Sequence, residues 1–162
     1  MKFYKIILFL LLISNAHSNE KFKLKKITDL NNPWSMTFLN NEEIMISDKE
    51  GQIQNINLKN KTINKVNHNL NYKVDGQGGL LEILKHKNNI YLCYTEDRGS
   101  GKTSTSIAKA KYTKDNLNFK NIFQANPPIN SGYHFGCRMV IQDDKYLYAS
   151  IGERGGGNIA QD

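Results

Sequence analysis

Two side chains able to do polar chemistry and one large aromatic recur at the same kind of position in this chain. His134 lies in Asn130-Ser131-Gly132-Tyr133-His134-Phe135-Gly136. An imidazole near its reference pKa can accept a proton from a hydroxyl at neutral pH. Gln77 lies in Val74-Asp75-Gly76-Gln77-Gly78-Gly79. Its amide can both donate and accept, and the flanking glycines let the backbone approach a ligand closely. Trp34 lies in Pro33-Trp34-Ser35-Met36. Taken singly, His134 reads as a histidine hydrogen-bonded in a loop and Gln77 as part of a Gly-rich turn. Their shared position argues for more.

That position comes from a strand repeat. Short β-branched and aromatic runs are broken by Gly, Asn and Asp at hairpin distances. Residues 34–39, 43–47, 52–57 and 62–66 read as four antiparallel strands, and 79–84, 89–95, 104–112 and 119–124 as four more. A third unit opens with 137–141 and 146–151. Phe38, Ile83 and Ile141 mark equivalent strands at steps of 45 and 58 residues. A four-stranded meander at that period is the signature of propeller blades, here about two and a half of them. A sandwich of about ten strands is the alternative, but it would not require the repeat. Trp34, Gln77 and His134 each stand just before or at the start of an innermost strand, so all three are expected at one mouth of the channel. Site residues commonly sit on such loops. A blade array this short cannot bury its end faces, so the sequence is expected to be the N-terminal part of a longer propeller.

Composition narrows the partners. The net charge is +7, with 22 Lys and Arg against 15 Asp and Glu, and the lysines are scattered. No basic helix or arginine stripe tracks phosphates, so nucleic acid is not an expected partner. Residues 1–18 carry Lys2 and Lys5, an apolar run from Ile6 to Ile13, and Ala16-His17-Ser18. They read as a cleaved secretory signal, too short in its apolar part to span a bilayer. Residues 19–162 are then the exported domain, periplasmic or secreted, with no lasting membrane insertion. Cys93 and Cys137 are the only cysteines. Export would permit a disulfide, but both lie within apolar strand patterns and are expected to be buried free thiols.

Several other features are expected to carry no chemistry. Gly99-Ser100-Gly101-Lys102-Thr103 imitates the end of a phosphate-binding loop, but Glu96 stands where the motif needs glycine, and a strand follows. It reads as a hairpin loop. Glu153-Arg154 reads as a structural ion pair, Arg138 as a structural residue, and His68 and His86 as polar loop residues.

Together these motifs resemble a known family. Pro33-Trp34-Ser35-Met36-Thr37-Phe38-Leu39, Gly76-Gln77-Gly78-Gly79-Leu80-Leu81, His134-Phe135-Gly136-Cys137-Arg138-Met139, Gly152-Glu153-Arg154 and Ala160-Gln161-Asp162 occur in order. The chain is similar to the soluble PQQ-dependent glucose/sorbosone dehydrogenases, in particular their periplasmic aldose sugar dehydrogenase branch. The resemblance implies a six-bladed all-β propeller that binds pyrroloquinoline quinone (PQQ) and calcium. It also implies oxidation of an aldose at the anomeric carbon to the lactone, with electrons passed to an external acceptor. His134 takes the place of the general base, and Gln77, with Trp34, of the pocket wall. The arginine and lysine contacts to the quinone, and the calcium ligands, are implied to lie further along the chain, so no metal ligand is expected here. The piece alone is expected to be inactive. Tyr133 stands where some members carry an acid, so a carboxylate assisting the histidine is not expected from that position. The alternative is a propeller that binds carbohydrate or protein without catalysis.

Overall fold

The computed structural model describes residues 23–161. The secretory-signal reading of residues 1–18 lies outside them. Ten of the eleven strands among the described residues form three antiparallel units. The first unit contains β1 (Pro33–Phe38), β2 (Glu43–Asp48), β3 (Ile53–Asn57) and β4 (Ile63–His68), paired in sequence order. The second contains β5 (Leu80–His86), β6 (Asn89–Asp97), β7 (Thr103–Lys111) and β9 (Lys120–Gln124). The third is the hairpin β10 (Gly136–Gln142) and β11 (Tyr146–Ile151). These match the strands expected from the repeat. A short β8 (Asn116–Leu117) was not expected. It leaves the second unit to pair parallel with the outer strand β4 of the first. A 3-10 turn closes the described chain at Gly157–Gln161. No helix among the described residues is long and apolar enough to cross a membrane.

Strand periodicity explains how the blades stack. Successive side chains of a strand point to opposite faces. In β6, Ile90, Leu92 and Tyr94 face one way and join Met45, Ile53 and Val66 of the first blade. Cys93 faces the other way and joins Phe135, Cys137 and Met139 of the third. The second blade is therefore buried on both faces. In the first blade Met45 points to the shared core, while Ile44 and Ile46 meet Ile27 and Leu30 of the segment preceding β1.

The innermost strands leave backbone N–H groups along their edges, which side chains of the preceding blade cap. Ser35 Oγ accepts from the Ile83 N–H at 3.2 Å, and Thr37 Oγ1 from the Lys85 N–H at 3.0 Å. Glu82, buried on β5, does the same for the Met139 N–H and takes Arg138 Nη1 at 2.9 Å. Arg138 thus meets a buried carboxylate, although its own side chain is 84% exposed.

The cysteines overturn the expectation of free thiols. Cys93 and Cys137 form a disulfide between β6 and β10, with their Cα atoms 6.3 Å apart. Each side chain does lie in an apolar core. Because that core is the interface between two blades, the two thiols face each other.

Candidate functional site

The site is built where the β10–β11 hairpin runs past its last ladder pair. Gly136 pairs with Ile151, and the register shifts between Gly136 and Met139. Gly136 and Cys137 both have positive φ there, at 73° and 83°. A bulge of this kind bends a strand and re-aims its neighbours. Beyond it the two chains stay in contact: the Gly152 N–H donates to Phe135 O at 3.2 Å, and the Arg154 N–H to His134 O at 3.4 Å. The contact is close enough that a Cβ on Gly152 would lie 1.9 Å from His134 O. Only glycine fits there. The outcome is that His134 and Glu153 face each other.

Their side chains meet. His134 Nδ1 lies 2.5 Å from Glu153 Oε1. The imidazole side chain is 53% exposed and the carboxylate 24%. The hydrogen bond from His134 is the main reason that the Glu153 carboxyl is held below the ordinary glutamate range, followed by a bond to its own backbone. A carboxylate on Nδ1 keeps the proton on that nitrogen and leaves Nε2 as the acceptor. Nε2 has no hydrogen-bond partner among the described residues. This corrects one expectation, since Glu153 pairs with His134 rather than with Arg154. It also gives His134 an acid from across the hairpin, position 133 supplying none. The backbone turns at Arg154, where φ is +58°, so the Glu153 and Arg154 side chains go to different partners.

Gln77 joins from the second blade. Its Oε1 accepts from the His134 N–H at 2.9 Å, and its own N–H donates to Gly132 O at 2.8 Å. The loops lie backbone to backbone: Gly76 has φ +56°, and a Cβ there would sit 2.4 Å from Gly132 O. The Gln77 side-chain N–H₂ group has no partner among the described residues and is exposed, so it is available to a ligand. Trp34 is 49% exposed in β1, and no hydrogen bond ties it to either residue. The structure therefore brings two of the three expected residues together.

Tyr133 is 61% exposed and lies edge-on to His134, with ring centroids 6.3 Å apart. A cavity of about 510 Å³ borders Glu153, walled by Thr105, Asn126, Pro127, Ile129 and Arg154 among others, and neither His134 nor Gln77 lines it. His68 contacts Gly51 O at 2.8 Å, and His86 lies 2.9 Å from Asp144 at the far end of β5. Neither is hydrogen-bonded to His134. Glu153 was not legible in the sequence: the register nearer the turn, Gln142 with Tyr146, would set His134 opposite Arg154, and the shift between Gly136 and Met139 brings Glu153 there instead.

Stacked four-stranded meanders with their innermost strands side by side are blades of a β-propeller, and the polar residues gather where two of those strands begin. The chain belongs to the Glucose / Sorbosone dehydrogenase family, whose model matches residues 30–162. It is 27% identical over 142 residues to the aldose sugar dehydrogenase YliI of Escherichia coli, covering 82% of this chain and 38% of that protein. A solved glucose dehydrogenase superposes with a TM-score of 0.76 at 29% identity, over 82% of this chain and 44% of that one. The PQQ-bound form of an aldose sugar dehydrogenase from Streptomyces coelicolor does so with 0.72 at 25% identity, over 83% and 42%. The chain thus spans about two fifths of the length of the proteins it matches.

Proposed function

We propose that this chain supplies the base-bearing blades of a PQQ-dependent dehydrogenase that oxidises aldoses at the anomeric carbon to lactones. The observation that carries the reading is the exposed imidazole of His134, backed on Nδ1 by a carboxylate at 2.5 Å. His134 Nε2 takes the proton of the anomeric hydroxyl, and Glu153 stabilises the imidazolium that results. The Gln77 side-chain N–H₂ group, free of protein partners, orients sugar or quinone oxygens. Trp34, by its place on an innermost strand, walls the same pocket. When bound, PQQ supplies the acceptor for the hydride leaving the anomeric carbon.

The residues present fit the reacting side of such a cofactor. Two arginines near the site are already engaged, Arg138 by Glu82 and Arg154 by loop carbonyls. No three His, Cys, Asp or Glu side chains among the described residues form a metal site, so calcium is assigned to none of them. Under this reading the protein is exported to the periplasm or beyond, and reduced cofactor passes its electrons to an external acceptor. The test is dye-linked oxidation of a panel of aldoses by the full-length protein supplied with PQQ and calcium. Cofactor-dependent turnover of at least one aldose is expected. Binding of sugar without cofactor-dependent turnover would instead identify a non-catalytic carbohydrate-binding propeller.

A further inference from the structure

We propose that Arg154 is a positioning residue for this site, its buried guanidinium fixing the loop that presents His134 to Glu153 and Gln77. The inference rests on the reading of His134 as the base. Arg154 is only 7% exposed and makes no ion pair among the described residues. Its donors go instead to backbone around His134. Nε donates to Tyr133 O at 3.0 Å, and Nη2 donates to Ser131 O and, at 2.8 Å, to Thr103 Oγ1. Nη1 reaches Thr103 O at 3.1 Å, which anchors the whole group to β7 of the second blade. The guanidinium carbon stands 3.6 Å from the centroid of the Phe135 ring. The main chain of Arg154 closes the circle, since its N–H reaches His134 O and its carbonyl accepts from Ser131 Oγ at 2.6 Å.

Residues 131, 133, 134 and 135 are therefore all held by one residue. A loop with His134 at φ +48° does not keep that backbone unaided. Burial pulls the Arg154 guanidinium below its ordinary pKa, with the charge of Asp75 opposing. A guanidinium still stays charged under such conditions, which a lysine need not. Its planar fork also directs donors at several fixed acceptors, whereas an ammonium has three donors at a single point. Hydrogen bonds from a charged group are stronger than neutral ones, so this clamp outweighs the ordinary loop contacts.

The test compares the full wild-type chain with Arg154→Lys and Thr103→Val variants, without cofactor or sugar. Amide exchange is followed at Gln77 and Gly152, whose N–H groups bond the loop from either side, and at Leu92 and Ile107 in the β6–β7 ladder. Losing charge-assisted bonds in Arg154→Lys should speed exchange at Gln77 and Gly152 by roughly tenfold to a hundredfold, with Leu92 and Ile107 unchanged. The Glu153 carboxyl, followed by carbon NMR, should titrate closer to an ordinary glutamate as His134 swings away. Unchanged local exchange, or an equal loss at all four amides, overturns the proposal. If Arg154→Lys does not fold, Thr103→Val decides, because it removes one acceptor and keeps the guanidinium. A smaller loss confined to Gln77 and Gly152 is expected, and none overturns the proposal. Failure of sugar oxidation would leave these readouts untouched, so the two claims are judged separately.

Discussion

Gly152→Ala is the sharpest perturbation of the site, because it adds one methyl group at the point where the two halves of the pair touch. The added Cβ would begin 1.9 Å from His134 O, whereas ordinary contact begins at 3.4 Å. The two backbones must part by about 1.5 Å, which would stretch the 2.5 Å Nδ1–Oε1 contact to about 4 Å if the shift falls along it, outside hydrogen-bonding range. Overpacking of this sort costs about 1–3 kcal/mol of stability, and a 1 Å misplacement of a reacting group can cost about a hundredfold in rate. The assay is kcat of the PQQ-supplied full-length protein, read beside the carbon-NMR titration of Glu153. A loss of about a hundredfold is expected, with the Glu153 titration rising toward the usual glutamate range. A folded variant with wild-type turnover and an unmoved Glu153 titration would refute the argument that the hairpin contact sets the pair.

Other outcomes follow from the same structure. Removing the Cys93–Cys137 link, which closes a separation of 44 residues, should lower the stability of the chain by about 4 kcal/mol on the chain-entropy model, read by urea unfolding of the Cys93→Ser, Cys137→Ser double variant. Tyr94 is pushed up to about 12, chiefly by burial, so it should keep its proton in an alkaline ultraviolet titration where exposed tyrosines lose theirs. Its contribution to stability should hold below the ordinary phenol value and decline as pH rises from there through about 12. Asp144 is held below the ordinary carboxylate range, first by its hydrogen bond to Lys87, then by the Lys87 and His86 charges. A lowered folded value means stability present above the unfolded value and lost as pH falls through the folded one. Urea midpoints of wild type and Asp144→Asn should therefore differ at neutral pH and converge in acid.

The repeat was legible because blades announce themselves by alternation and turns. β5, β6 and β7 fell within two residues of where Leu81, Tyr91 and Ile107 and their neighbours suggested. Gln77 and His134 were legible for the same reason, each standing ahead of an innermost strand. What escaped depends on contacts between units. β8 is two residues long and has meaning only against β4. The disulfide depends on Cys93 and Cys137 facing one interface, which strand patterns do not reveal until the blades are stacked. Arg154 looked like half of an ion pair because its neighbour in sequence is an acid. The backbone turns at Arg154, with φ +58°, and sends the two side chains to different partners.

The central claim is that His134 removes the proton in the step that reduces the cofactor. It is tested most directly by rapid mixing of aldose with PQQ-loaded full-length protein, wild type against His134→Ala, following the quinone absorbance in a single turnover. Cofactor binding within a few-fold of wild type is expected, with reduction slowed by about 10²–10⁴-fold. Reduction at the wild-type rate in the His134→Ala protein would contradict it.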